Sequence, residues 1–423
     1  MTEHTGGPIL DRRRFVSRGL AFVSVGALMP AAFVRAVFAE TDVMPAASGT
    51  RHRALVILQL GGGNDGLNTL IPYADGAYFD ARPELAVNPE SVLHLNDRVG
   101  LHPRLAGLKT LYDRGALAIV QGVGYPNPNR SHFRSMAIWH TASTESDIYT
   151  GWLGRLLDAT SHEQQSRWRA ANVGASAPLS LAAEESFVPS LESVPAYVLQ
   201  GDPRLRDSVQ ADRRIADWAR LYAQQSAPGG QLALISETGL QAYRSTIDLA
   251  EDVSDYTPLA SYPETPLGSA LQTCAQLIGS NLGTTICYVT TGGFDSHSAQ
   301  DSTQPELLTN LSEALLAFRD DLEAHAMADE VATMVWTEFG RRVRGNGSGG
   351  TDHGTAGPVF VMGGGVRGGL IGDPPSLRSL DDNGDLRFAI DFRSVYRSLL
   401  EQWFEADSND VLDGRYPSLP LFG

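Results

Sequence analysis

The sequence predicts an α/β fold in which a mainly parallel β-sheet lies between two layers of helices, a three-layer α/β/α arrangement. Short apolar runs alternate along the chain with longer runs of helical periodicity, which is the order of βαβ units. The first apolar run, ALVILQL at 54–60, has almost no polar position. This is expected of a parallel strand that helices cover on both faces.

The predicted elements follow this alternation along the chain. Strands are predicted where a short apolar run ends in a glycine-containing turn, at 54–60, 116–124, 283–293, 330–340 and 357–365. Helices are predicted where apolar residues recur every three or four positions, at 104–115, 203–225, 267–282, 305–327 and 391–404. The stretch 159–195 is rich in Ser, Ala and Pro and is predicted to be an irregular excursion over the sheet.

Length and composition suggest one large α/β domain or two ordinary ones, and we predict a single domain over 52–423. The chain has 423 residues, of which 42% are hydrophobic, and this is ample for a packed core. Its net charge of −16 gives no electrostatic basis for binding nucleic acid. After residue 39 no stretch is long and apolar enough to span a bilayer, so no stable membrane anchor is expected.

The first 39 residues have the composition of an export signal. Consecutive arginines are followed by a moderately apolar stretch and then by small residues around Ala39, the order of a secretory signal. Arg12, Arg13 and Phe15 form an R-R-x-F arrangement that points to the twin-arginine route. We therefore predict a signal peptide at 1–39, a linker at 40–51, the twin-arginine export machinery as a partner, and a periplasmic or secreted mature protein.

The turn after the first strand has two possible roles. Gly61, Gly63 and Gly66 spell G-x-G-x-x-G, the signature of a dinucleotide-binding loop. However, Asp65 inside the turn would repel a pyrophosphate, and Pro72 prevents a long helix after it. No second strand ends in a ribose-binding acid about 20 residues further on. This context excludes the dinucleotide role and leaves Asp65 as a candidate metal ligand.

Acids, imidazoles and one hydroxyl cluster at the ends of the predicted strands. In an open parallel sheet, ligands bind beyond the carboxyl ends of the strands. Carboxylates suit hard divalent ions, and imidazoles suit borderline ions such as Zn²⁺. The sequence therefore predicts a divalent-metal site, for Zn, Mg, Ca or Mn, at this edge. The candidates that follow strands are Asp65, Ser131, His132, Asp295, His297 and Glu338, and those that precede one are Asp352 and His353.

Five motifs in chain order resemble a bacterial protein family. They are LQLGGGNDGLNTLIP, NRSHFRSMAIW, GGFDSH, WTEFGRRV and TDHGTAGPVFVMGG. From about residue 52 to the C-terminus the chain is similar to the twin-arginine-exported domain-of-unknown-function 1501 family, which in turn resembles a distant branch of the alkaline phosphatase and sulfatase superfamily. The resemblance implies an alkaline-phosphatase-like fold and hydrolysis of phosphate or sulfate esters of small molecules or polymers.

The resemblance also implies a role for each candidate ligand. Asp65 stands where the superfamily has its first metal-binding acid, and Asp295 and His297 match the acid and imidazole of one metal. Glu338 replaces an aspartate, and Phe339 replaces a histidine ligand of the same stretch.

Two assignments of His353 remain open. His353 matches the superfamily's final histidine, or else Asp352 and His353 form its Asp-His pair and the final histidine is missing. In either case one imidazole is absent, and His132 could substitute for it.

The resemblance makes Ser131 the predicted nucleophile. Ser131 opens a helix whose N-terminal amides would stabilise negative charge, and Ser135 is a second candidate. Arg130 or Arg134 would steady the equatorial oxygens of the transferred group during in-line attack.

The candidate residues also have structural explanations. Asp65 could cap its turn, Ser131 could cap its helix, and Glu338 could pair with Arg341 or Arg342. Convergence of the candidates on one sheet edge favours chemistry. We therefore predict a metal-dependent hydrolase, and the alternative is a non-catalytic exported binding or assembly protein that retains the fold.

Overall fold

The computed structural model describes residues 53–160, 166–197, 231–253, 256–280 and 282–423, together with residues 215, 217 and 220. The signal peptide predicted at 1–39, the linker at 40–51 and most of the helix predicted at 203–225 lie outside the described residues. Among the described helices, none has both the length and the apolar character needed to cross a membrane.

The described residues contain twelve β-strands. These are β1 (Ala54–Leu60), β2 (Leu70–Ile71), β3 (Leu93–His94), β4 (Gly100–Leu101), β5 (Leu117–Gly124), β6 (Ala170–Val173), β7 (Ser190–Leu191), β8 (Ile286–Thr291), β9 (Val331–Trp336), β10 (Gly357–Gly363), β11 (Gly369–Ile371) and β12 (Ile390–Asp391). Strands β2, β4 and β3 form a small separate sheet, and the other nine form one large sheet.

The large sheet is mainly parallel, as the sequence predicts. Its order is β11-β5-β10-β9-β1-β8-β6-β7, and β12 also pairs with β5. Only β10 runs antiparallel to its neighbours β5 and β9, whereas the remaining pairs are parallel. Because β10 is reversed, its first residues lie at the edge where the other strands end. The sequence after β9 and the sequence before β10 therefore meet at one edge.

Helices cover both faces of the large sheet. The helices of the described residues are α1 (Gly66–Thr69), α2 (Gly76–Ala81), α3 (Ala106–Asp113), α4 (His132–Thr141), α5 (Trp152–Ala159), α6 (Gln231–Asp252), α7 (Pro266–Gly279), α8 (Gln300–Ala324) and α9 (Phe392–Ser398). Alternate residues of β1 point to opposite faces. Val56 and Leu58 lie in the apolar core formed with α3, α7 and α8, and Leu55 and Ile57 lie in the core formed with α4, α5 and α9. This confirms the three-layer α/β/α arrangement.

The elements differ from the predicted ones mainly at their ends. The stretch 159–195 contributes two short parallel strands, β6 and β7, to one edge of the large sheet. Helix α8 begins at Gln300, before Pro305, and its first turn lies close to the turn after β8. The final helix continues from α9 as a π-helical turn, Leu399–Trp403.

A buried histidine anchors α4 to the sheet. His140 is 8% exposed, and its Nε2 donates to Oε1 of Gln59 on β1 at 3.0 Å. The hydroxyl of Tyr288 on β8 donates to the same oxygen at 2.7 Å. Burial disfavours the imidazolium form and lowers the pKa of His140 to about 4. The contact fixes the helix whose first residue, His132, lies at the carboxyl edge.

This anchor predicts a pH dependence of stability. The unfolded chain binds a proton at His140 as the pH falls from about 6.5 to 4, and the folded chain does not, so the free energy of unfolding should fall over this window. His140→Gln keeps a donor for Gln59 but removes the titration. The fall in the variant, measured by urea unfolding at several pH values, should be smaller by up to about 3 kcal/mol.

His102 provides the internal control for this comparison. Burial also lowers its pKa to about 4, but it is present in both proteins and its contribution cancels. Equal pH dependence in the two proteins would contradict the assignment to His140.

Candidate metal centre

Six chemically active side chains meet at the carboxyl edge of the large sheet. The turn after β8 provides two of them, the end of β9 one, the segment before β10 two, and the first turn of α4 one. They are Asp295, His297, Glu338, Asp352, His353 and His132. Five of these six are ligands predicted from the sequence, and His132 is the predicted substitute for the absent imidazole.

Asp295 is the centre of the cluster. Its Oδ1 lies 3.1 Å from Nε2 of His353 and 3.0 Å from Nε2 of His297, and its Oδ2 lies 3.5 Å from Nε2 of His132. One donor atom each from His132, Asp295 and His353 all lie within 4.8 Å of one another. A carboxylate faced by three imidazole nitrogens is a donor set typical of a transition-metal site.

Each imidazole of the cluster is oriented through its other ring nitrogen. Nδ1 of His132 lies 2.7 Å from Oε1 of Glu338, and Nδ1 of His353 lies 2.8 Å from the main-chain oxygen of Arg130. Nδ1 of His297 lies 3.1 Å from Oδ1 of Asp352. A carbonyl or a carboxylate accepts, so these three contacts are compatible with neutral rings that carry the proton on Nδ1 and leave Nε2 as the donor atom for a cation.

The three Nε2 atoms lie in one region beside Asp295. Nε2 of His297 and Nε2 of His353 are 2.9 Å apart, a distance at which two lone pairs repel unless a cation or a shared proton lies between them. Hydrogen bonds from ligand imidazoles to carboxylates and carbonyls are the usual outer-shell arrangement of metal centres. The residues present therefore fit a bound metal ion.

Arg341 holds the turns that carry these ligands. It is 1% exposed, and its guanidinium donates to the main-chain oxygens of Gly63 at 2.6 Å, Thr351 at 2.8 Å and Phe294 at 3.0 Å, and also to that of Gly62. The same group donates to Oδ1 of Asp295 at 2.6 Å. One buried cation thus joins the turn after β1, the turn after β8 and the segment before β10.

Arg341 also determines the charge of Asp295. Burial would raise the pKa of the Asp295 carboxyl, but the hydrogen bond from Arg341 and the charge of its guanidinium help to outweigh burial, and the pKa is lowered to about 2. The hydrogen bond from Asn346, followed by that from His297, lowers the pKa of Asp352. Both carboxylates are therefore charged at neutral pH.

A glycine permits the close approach of two of these turns. Gly62 has a φ of 121°, and a Cβ placed there would lie 2.4 Å from the main-chain nitrogen of Asp295. Its own main-chain nitrogen donates to Oε1 of Glu338 at 2.9 Å. Any side chain at position 62 would displace the turn that carries Asp295.

Asp65 lies apart from this cluster in a buried ion pair. It is the N-cap of α1, where its side chain accepts from the main chain of Leu67. Its Oδ2 lies 2.5 Å from Nη1 of Arg82 and accepts from Nε2 of Gln300 at the same distance. Among the described residues, no hydrogen bond or ion pair joins Asp65 to the six residues of the cluster.

Ser131 lies next to the cluster with its hydroxyl free. It occupies the N-cap position of α4, but its side chain makes no capping hydrogen bond, and no described residue hydrogen-bonds to its hydroxyl. It is exposed, and the carbonyl of the preceding residue accepts from His353. Ser135, the second candidate, is fully buried and donates to the main-chain oxygen of Glu338.

The two predicted arginines are engaged in other contacts. Nε of Arg130 donates to Oδ2 of Asp385 at 2.8 Å, and its guanidinium also lies 3.5 Å from Asp381. Arg134 donates to the main-chain oxygens of Thr144 and Glu145, beyond the other end of α4.

The sequence indicates His132 only as a substitute ligand and gives no indication that the site depends on Arg341. Arg341 follows the predicted ligand Glu338 closely in the chain, but only the fold shows that its side chain turns back to three other segments. His132 is preceded by the signal of a helix start, which does not distinguish an exposed first-turn residue from a ligand.

Comparisons with known proteins identify a family and distant structural neighbours. A family model described as "Protein of unknown function (DUF1501)" matches residues 52–413, as the motifs predict. No curated protein matches the sequence.

Solved structures with a similar fold include three bacterial proteins. One is a protein in the alkaline phosphatase superfamily from Vibrio parahaemolyticus, with 12% identity, a TM-score of 0.35 and coverage of 92% of this chain and 77% of that chain. The PsFucS1 sulfatase from Pseudoalteromonas sp. has 10% identity, a TM-score of 0.38 and coverage of 96% and 75%. The lipoteichoic acid synthase LtaP from Listeria monocytogenes has 9% identity, a TM-score of 0.34 and coverage of 81% and 74%. At these values the likeness does not assign an activity to this chain.

Because the ion pair of Asp65 lies apart from the cluster, we expect its loss to lower the stability of the fold without changing metal binding. Arg82→Met leaves Asp65 charged and buried without its partner, so the free energy of unfolding should fall by about 3–5 kcal/mol. Zinc affinity, titrated under conditions where the variant is folded, should stay within about twofold of the parent value. Arg378→Met, which removes an exposed partner of Asp75, is the control and should cost less than about 1 kcal/mol. Loss of zinc binding by the folded Arg82→Met variant would show that Asp65 belongs to the metal centre.

For Arg341 we expect a substitution to lower both the stability of the fold and the affinity for metal. Arg341→Lys keeps the charge, but one ammonium cannot reach three turns at once, so stability should fall by about 3 kcal/mol or more and zinc affinity by about tenfold or more. The neighbouring change Arg342→Lys, at a half-exposed side chain, should alter stability by no more than about 0.5 kcal/mol. Equal effects of the two changes in urea unfolding and zinc titration would refute the assigned role of Arg341.

Proposed function

The chain belongs to the DUF1501 family, and we propose that it is an exported, metal-dependent hydrolase of phosphate or sulfate esters. The observation that supports this most directly is the cluster of Asp295 with three imidazoles whose Nε2 atoms lie around its carboxylate. A convergent, oriented donor set of this kind is costly to assemble and serves metal binding more readily than packing.

The donor set favours a borderline ion over a hard one. His132, His353 and Asp295 would hold the ion, with His297 as a fourth donor, and Glu338 and Asp352 would orient imidazoles from outside. Nitrogen-rich sets of this kind suit Zn²⁺, whereas Mg²⁺ and Ca²⁺ prefer oxygen ligands alone. Asp65 is not in the set that we propose, because both its oxygens have partners.

Charge balance supports the same conclusion. With neutral imidazoles, the cluster holds three carboxylates, Asp295, Glu338 and Asp352, and among the described residues the guanidinium of Arg341 is the one that forms an ion pair with any of them. An anionic ester would be repelled by this excess of negative charge. When bound, a divalent ion would supply the positive charge that offsets it and polarises the oxygens of the transferred group.

Ser131 is the residue that we propose to react. Its exposed hydroxyl has no protein partner among the described residues and lies at the N-terminus of α4, where the helix dipole stabilises developing negative charge. A bond would form from Oγ to phosphorus or sulfur as the bond to the alcohol oxygen breaks, and the alcohol would leave with the hydroxyl proton. Water would then hydrolyse the seryl ester and restore the hydroxyl.

One observation favours a second candidate function. The arginines expected to hold the transferred group are occupied: Arg130 by Asp385 and Arg134 by main-chain oxygens. A binding protein that retains the metal centre without turnover fits this arrangement, because it needs no group to stabilise a transition state.

The two functions predict different results for the purified exported protein. For the hydrolase, metal analysis should give bound zinc, and 4-nitrophenyl phosphate or sulfate should be hydrolysed. Ser131→Ala should lower kcat by about 10³-fold or more with zinc retained, and His353→Ala should lose both zinc and activity. Ser91→Ala and His94→Ala, at exposed positions on the small sheet or beside it, are the matched controls.

The remaining outcomes separate the alternatives. Bound zinc without hydrolysis of any ester would favour the binding protein. Hydrolysis that survives Ser131→Ala would remove Ser131 from the mechanism and leave the metal centre in place. Absence of both zinc and hydrolysis would refute the proposal.

A further inference from the structure

A cavity of about 300 Å³ adjoins the metal centre. It lies between the turn after β5 and the segment 381–388, and Glu338, which orients His132, is among its lining residues. A space of about 150 Å³ holds benzene, and ligand sites begin at about 300 Å³. The cavity is therefore large enough for one ring with substituents.

The lining of this cavity is largely apolar and well fixed. It includes Tyr125, Trp139, Leu386 and Phe388. Trp139 stacks on Trp336 at 4.8 Å and on Phe392 at 4.3 Å between ring centroids, so its position is set by packing on both sides. Phe388 is 36% exposed. A partly exposed aromatic ring beside buried ones is typical of the mouth of a ligand pocket.

The outer wall of the cavity is tied to the residue that precedes Ser131. Arg130 pairs with Asp385 and Asp381, and Asp381 accepts hydrogen bonds from the main chain of Asn383 and Asp385. At the other end of the wall, the main chain of Ala389 donates to that of Gly122 at 2.8 Å. The segment that carries Leu386 and Phe388 is thus held in a fixed position relative to the start of α4.

These contacts give Arg130 a role other than the one predicted for it. Its side chain holds the cavity wall, and its main-chain oxygen accepts from Nδ1 of His353. One residue therefore connects the apolar cavity to the metal centre. A ligand that spans both would place its anionic group at the centre and an apolar group against Trp139 and Phe388.

We propose that this cavity binds the alcohol part of the ester, and that this part is an aromatic or similarly apolar ring. The inference rests on the proposed function, because it assigns the anionic part of the same substrate to the metal centre. Of the polar lining residues, Asn127 and Arg387 are exposed and would meet substituents of the ring that face solvent, whereas Glu338 and Thr355 are buried.

Two phosphonates that cannot be hydrolysed test the proposal. Phenylphosphonate and methylphosphonate share the anionic group and differ in the ring, so calorimetric titration of the zinc-loaded protein should show about tenfold or more tighter binding of phenylphosphonate. Phe388→Ala should reduce this preference at least about threefold and leave the affinity for methylphosphonate unchanged. Leu259→Ala, an exposed apolar truncation beside Asp321 near the far end of α8, about 30 Å along that helix from Gln300, should change neither affinity.

The possible results distinguish failure of the cavity assignment from failure of the proposed function. Equal affinities for the two phosphonates would overturn the cavity assignment and leave the metal-dependent hydrolase intact. If neither phosphonate binds, the proposed function fails. Binding of phenol, measured by saturation-transfer NMR, then tests the cavity assignment independently. Phenol contacts that disappear in Phe388→Ala would support a ring-binding cavity, and absence of phenol binding would overturn it.

Discussion

The buried guanidinium of Arg341 is the contact on which the rest of the site depends. A buried charge is costly unless its hydrogen bonds are satisfied, and in this fold the acceptors that satisfy it are main-chain oxygens from three turns together with the carboxylate of Asp295. Two of these turns follow β1 and β8, and the third precedes β10. All three lie at one edge of the sheet because β10 runs antiparallel to its neighbours. The cost of burying one charge thus enforces a geometry that the individual turns would not adopt alone.

A second layer of contacts converts this geometry into a binding site. Glu338, Asp352 and the carbonyl of Arg130 each engage Nδ1 of one imidazole, and this leaves three Nε2 atoms directed at Asp295. The fold also fixes the position of His132, because His132 is the first residue of α4 and His140 near the end of α4 binds to β1. Packing, buried charge and ring orientation therefore act on one small region, which is the pattern expected where a protein preorganises a site.

Much of this could be predicted from the sequence, and the remainder has identifiable physical reasons. Apolar runs such as that of β1 and the order of βαβ units indicate the parallel sheet, and Asp295, His297 and His353 are conspicuous because acids and imidazoles in glycine-rich turns seldom serve packing. The partner of Asp65 is not visible in the same way. Arg82 lies on a different element and forms a buried pair with Asp65 through tertiary packing, which no local pattern encodes. Arg130 is a candidate in the sequence because of its charge, but its side chain is oriented by Asp381 and Asp385, two acids far along the chain.

The claim that the imidazoles and Asp295 form one cation site can be tested directly by diffraction. Crystals of the protein grown with zinc and measured at the zinc absorption edge should give an anomalous peak within bonding distance of Nε2 of His132, Nε2 of His353 and a carboxylate oxygen of Asp295. Zinc bound elsewhere, for instance at Asp65, or no peak among these side chains, would contradict the account.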